Sequence, residues 1–166
     1  RGDSAEARRW GERVKVSQDR ALVPLLAAMA SASGGDVHAA IAASAPALAY
    51  DSAGYAPDPF LRAALHLKRG EWHERSSRPS DADRSWLWYE NLDLRNWPDA
   101  EAQPAEVDWA LASHARALRA RLALALGELE EGCALARRVA EVWVEAEPAV
   151  GAARSELATL ARACPT

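Results

Sequence analysis

The chain has 166 residues, a net charge of −4 and a pI near 5.6, so it lacks the general attraction for nucleic acid or an anionic membrane that a basic domain carries. At this length one domain is the default, and it would bury roughly 70% of the surface its unfolded form exposes. Apolar residues at 49% and charged residues at 27% exclude a disordered chain. Alanine, roughly a quarter of the residues, suggests closely packed helices.

In chain order, the capping and periodicity signals predict helices near 3–16, 18–32, 36–50, 58–77, 80–92, 105–126, 129–146 and 148–163, with no convincing strand. Asp58-Pro59 offers a cap followed by proline in the first turn, Ser80 with Asp83 resembles a capping box, and Pro104 and Pro148 sit where helices can begin. The longest apolar run, ALVPLLAAMA at 21–30, contains Pro24 and is too short to span a bilayer. No membrane insertion is expected, and the segment reads as soluble. Lys15 and Lys68 are the only lysines in a chain rich in arginine and alanine, a composition typical of GC-rich bacterial genomes.

A repeat underlies these helices. The turn Gly2-Asp3 recurs as Gly35-Asp36 and Gly127-Glu128, with Ser77-Arg78 as a weaker copy. Five residues past each turn start stand Ala7, Ala40, Ala82 and Gly132; nine past stand Gly11, Ser44, Trp86 and Ala136; twelve past stand Val14, Ala47, Tyr89 and Val139. Spacings of five, nine and twelve trace one stripe on a helix of period 3.6, and the stripe is expected to face inward. Seven residues upstream of the turns lie Ala28, Gly70 and Ala120, which allow a close helix crossing.

A helical hairpin with small residues at its crossing, a Gly-Asp turn and an alanine five residues later resembles the tetratricopeptide (TPR) family, whose repeat is about 34 residues. The interval from Gly2 to Gly35 is 33 residues, but the next two, 42 and 50, are longer, so insertions are expected near 50–57 and 93–104. The pattern is degenerate, with His73 and Ala123 where the family usually carries an aromatic. More loosely, the run from Pro59 to Asp93 and the one from Glu106 to Glu128 resemble TPR-like regions of multidomain bacterial signalling proteins, including those attached to Ser/Thr kinases. The resemblance implies an all-α solenoid within one domain, 1–166: a half repeat at 1–17, hairpins at about 18–53, 57–92 and 105–146, and a capping helix at 148–163. It also implies a piece of a larger protein, with at least one helix before Arg1, in a compartment the sequence leaves open.

The resemblance implies a non-catalytic interaction or scaffold module that holds a protein or peptide in a concave groove. Leu22, Leu25, Leu26 and Met29 follow i, i+3, i+4, i+7 on the face that lines such a groove, and Lys68, Glu71 and Arg75, with Leu118, Arg121 and Leu124, extend it. The alternative is a small-molecule-sensing domain whose pocket is lined by Trp86, Trp88, Trp97 and Trp109. Of these, Trp86 and Tyr89 fall on the inward stripe and read as core, whereas Trp88 and Trp97 do not.

Other motifs carry less. Gly2 and Asp3 of the opening RGDS are read as a turn and a helix cap rather than a receptor ligand. His66 and His73, with Glu74, Asp81 and Asp83 nearby, have neither H-E-x-x-H nor Cys/His spacing, so no metal is expected; His38 and His114 add nothing. There is no G-x-S-x-G and no phosphate-binding glycine loop, and the carboxylates are dispersed beside arginines as on solvated faces, so neither catalysis nor a cofactor is expected. If the last two helices pack antiparallel, Cys133 lies level with about residue 161, near Cys164. A disulfide is expected between them in an exported protein, and two thiols in the cytosol.

Overall fold

The computed structural model describes residues 22–49, 59–91, 111–143 and 151–164. The described residues form seven α-helices and no strand: α1 (Leu22–Ser33), α2 (Val37–Ala49), α3 (Pro59–Arg75), α4 (Pro79–Leu87), α5 (Ser113–Ala125), α6 (Leu129–Val142) and α7 (Gly151–Ala163). A 3-10 turn, Trp88–Asn91, continues α4. The chain is therefore all-α where it is described. The helix expected at 3–16 and the insertions expected at 50–57 and 93–104 lie outside the described residues, as do the RGDS segment and Pro104.

Three helix ends are built identically. At the first, Asp36 N–H donates to the Ser31 carbonyl (3.0 Å) and Gly35 N–H to that of Ala32 (3.1 Å). At the second, Arg78 N–H donates to His73 (2.9 Å) and Ser77 N–H to Glu74 (3.0 Å); at the third, Glu128 N–H donates to Ala123 (2.9 Å) and Gly127 N–H to Leu124 (3.1 Å). This is the Schellman arrangement, in which the residue closing the turn must be left-handed. Gly35 (φ 88°), Ser77 (φ 58°) and Gly127 (φ 83°) all are. The recurring turn in the sequence thus has one physical cause: the last carbonyls of each helix are satisfied by a chain reversal at the same place.

What starts the next helix differs. Asp36 Oδ1 accepts the Ala39 N–H at 2.9 Å and caps α2, as a Gly-Asp turn predicts. Glu128 makes no side-chain cap at α6. At α4 the expected capping box at Ser80 is corrected: the helix begins at Pro79, where a missing N–H costs nothing, and Arg78 occupies the cap position. Arg78 Nη2 instead pairs with Asp81 in the first turn at 2.6 Å.

The small positions face inward. Five residues past the turns, Ala40 and Ala82 have no exposed surface and Gly132 is buried; nine past, Ser44, Trp86 and Ala136 are fully covered; twelve past, Tyr89 and Val139 are buried. Upstream, Ala28, Gly70 and Ala120 are buried too. The side chain of Ala47 lies outside the described residues.

The chain divides into two compact units, Arg1–Ser85 and Trp86–Thr166. In the first, Ala28 of α1, Ala40 and Ile41 of α2, and Leu65 and Trp72 of α3 form one apolar core. In the second, Ala117 and Ala120 of α5 pack with Leu135, Ala136, Val139 and Trp143 along α6 and with Leu157 of α7.

Candidate functional site

The predicted groove residues separate into three kinds. On α1, Leu25 packs against the core of the first unit and Leu26 is partly buried, whereas Met29 is 38% exposed; the Leu22 side chain lies outside the described residues. On α3, Lys68 Nζ donates to both Glu71 carboxylate oxygens at 3.0 and 2.8 Å, and Arg75 is exposed. Partly solvated, the Lys68–Glu71 pair adds little stability. On α5, Arg121 is exposed, but Leu118 is buried and Leu124 packs over Gly132 of α6. Leu124 thus belongs to the hairpin, and Leu118 is covered rather than on an open face.

The aromatic set divides similarly. Trp86 is wholly buried and Tyr89 is 4% exposed, while half-buried Trp88 meets Tyr89 edge-to-face, with centroids 5.1 Å apart and planes at 84°. Trp97 and Trp109 lie outside the described residues.

Buried charge is what the sequence concealed. Arg116 and Arg119 are 7% and 5% exposed, although charged side chains were expected on solvated faces. Arg116 Nε donates to Glu90 Oε1 at 2.7 Å, and Glu90 is shared with Arg138 at 3.5 Å; Arg119 Nη2 reaches Glu131 at 2.6 Å. Arginine suits this duty because its aliphatic stem packs while its planar head meets a carboxylate. The i, i+3 spacing of the two arginines, continued by Ala120 and Ala123, was the available signal.

In the first unit, Arg69 Nη1 donates to the Ile41 carbonyl at 2.8 Å and to Ser44 Oγ, tying α3 to α2. Ser44 Oγ itself donates to the Ile41 carbonyl at 2.8 Å, so the hydroxyl on the buried stripe is satisfied. Burial, then the charge of Arg78, lowers the pKa of Arg69, against an opposing effect of Asp81. His73 is 4% exposed, and its Nδ1 is buried without a hydrogen-bond partner. Burial first, then Arg69 and Arg78, hold its imidazole below the ordinary 6.5, with Asp81 opposing and Arg84 adding to the fall. His73 is thus a neutral core residue at neutral pH.

Among the described residues, no three His, Cys, Asp or Glu side chains are placed to hold a metal ion, and no helix is long and apolar enough to cross a membrane. The sequence reading also missed Leu126 and Leu129, 54% and 57% exposed on either side of the third turn. The corresponding residues of the other turns are Gly34 with Val37 and Ser76 with Pro79. Leu129, Glu128, Glu130, Glu131 and Ala134 line a shallow open depression there.

Cys133 and Cys164 are joined as a disulfide, with Cα atoms 5.6 Å apart. The bond links the second turn of α6 to the residue after α7. Comparisons with protein-family models, curated proteins and solved structures found no match to this chain.

Proposed function

We propose that this chain is a non-catalytic interaction module, a TPR-like array of helical hairpins that displays a groove for a peptide or amphipathic helix of a partner protein. One observation carries the reading: the same left-handed turn is followed three times by the same buried positions, at Gly35, Ser77 and Gly127. Repetition of one hairpin is how solenoids create extended surfaces. The resemblance to regions of bacterial signalling proteins extends the proposal to a module within such a protein. A sensing pocket around the tryptophans is less well supported, because Trp86 has no surface left to offer a ligand.

Met29 is the residue on which to test the proposal. Leu25→Asp would place a charge against the core, whereas Met29 already meets solvent. Met29→Asp is expected to weaken binding of a partner, identified by pull-down and then purified, by about tenfold or more, as loss of an apolar anchor does. The helical circular dichroism of the variant should be unchanged. Unchanged affinity in the folded variant would count against a groove on α1.

A further inference from the structure

We propose that α7 is a redox-released strap: the disulfide between Cys133 and Cys164 holds it on the α5–α6 hairpin, and reduction lets it leave while the hairpin stays folded. The idea rests on the second unit alone and is independent of the groove on α1.

Three observations combine. First, the described side chains of α7 give it only a small apolar hold. Among its described side chains only Leu157 is buried in the core, with Leu160 and Ala161 partly covered, while Ser155, Thr159 and Arg162 are exposed. At 13 residues, α7 is also at the length where an isolated helix is marginal in water, about 12–15 residues. Second, the hairpin has its own means of staying closed. Its turn is satisfied by backbone bonds, Leu124 packs on Gly132, and Arg119 pairs with Glu131, all without α7. Third, the disulfide is positioned at the end of the strap. It joins positions 31 residues apart, so it restricts the chain most when α7 is undocked.

The two sulfurs differ in access. Cys133 is 5% exposed, whereas Cys164 is only partly buried. A thiolate of a dithiol reductant attacks Cys164 Sγ, and Cys133 leaves as a thiolate that takes up a proton. The second thiol of the reductant then attacks its own sulfur in the mixed disulfide and expels the Cys164 thiolate. Two electrons pass from dithiol to disulfide, leaving two protein thiols and one oxidised reductant. Undocking of α7 then uncovers the core residues that Leu157 shares with Val139 and Trp143.

Hydrogen exchange read by mass spectrometry tests this on the whole chain, disulfide-bonded and after reduction with dithiothreitol and alkylation. A Cys133→Ser/Cys164→Ser variant provides a second arm free of alkylated sulfur. In both arms, exchange across 151–163 should accelerate at least about tenfold, while peptides covering Ala117–Ala123 change by less than about threefold. Unchanged exchange in 151–163 would overturn the proposal. So would equal acceleration through α5 and α6, which would make the disulfide a general staple. Two free thiols persisting in purified protein after treatment with oxidised glutathione would also overturn it.

Discussion

Replacement of Trp86 by alanine is expected to lower the unfolding free energy by about 3–5 kcal/mol, the range for deleting a buried large aromatic. Trp86 has no exposed surface and occupies the stripe position held in the other hairpins by Ser44 and Ala136. With the whole ring covered, truncation leaves a void that the surroundings only partly fill. Urea denaturation measures the loss, and the slope of the transition should remain that of the parent, marking a stability change rather than a change in what unfolds. A loss below about 1 kcal/mol would mean that the ring is not a core element.

Why so much of the fold was legible follows from the turns. A left-handed residue at a helix end is a strong local demand, glycine meets it best, and the small residues downstream keep step with the glycine because the helix period fixes which of them face inward. Hence the positions of Ala40, Ala82 and Gly132 followed from counting. Ser77 was the weak copy because serine does not advertise a positive φ, yet it adopts 58°. Side-chain partners across the fold were much less visible. Only their i, i+3 spacing, in step with buried Ala120 and Ala123, distinguishes Arg116 and Arg119 from the solvated Arg121 of the same helix. Leu118 and Leu124 have the same pattern as a groove lining, but Leu118 is buried and Leu124 packs on α6, since heptad-like spacing identifies a face without saying what covers it. The pairing of Cys133 with Cys164 was accessible to counting because their helices follow one another in the chain.

The second large effect is expected at Gly132. A Cβ there would lie 2.6 Å from Leu124 Cγ, 2.9 Å from its Cδ2 and 3.0 Å from its backbone nitrogen. Rotating the leucine therefore does not make room, because the backbone of α5 is itself in the way. Gly132→Val gains roughly 0.4 kcal/mol of helix propensity, but overpacking a closed crossing costs about 1–3 kcal/mol or more. The crowding wins, and a net loss of about 1–2.5 kcal/mol is expected. Ala134→Val, on the exposed face of α6, is the control and should change stability by no more than about 0.5 kcal/mol. Equal effects at the two positions would contradict close packing of α5 on α6.

The proposed function depends on one turn being used three times, and the turn residues test that most directly. Ser77 is exposed and pays for a left-handed backbone that Gly35 and Gly127 adopt freely. Urea unfolding of Ser77→Gly and Gly127→Ala should therefore give opposite signs: a gain of about 0.5–1 kcal/mol for the first and a loss of about 1 kcal/mol for the second. Effects of the same sign, or no effect at Ser77, would contradict the equivalence of the three turns.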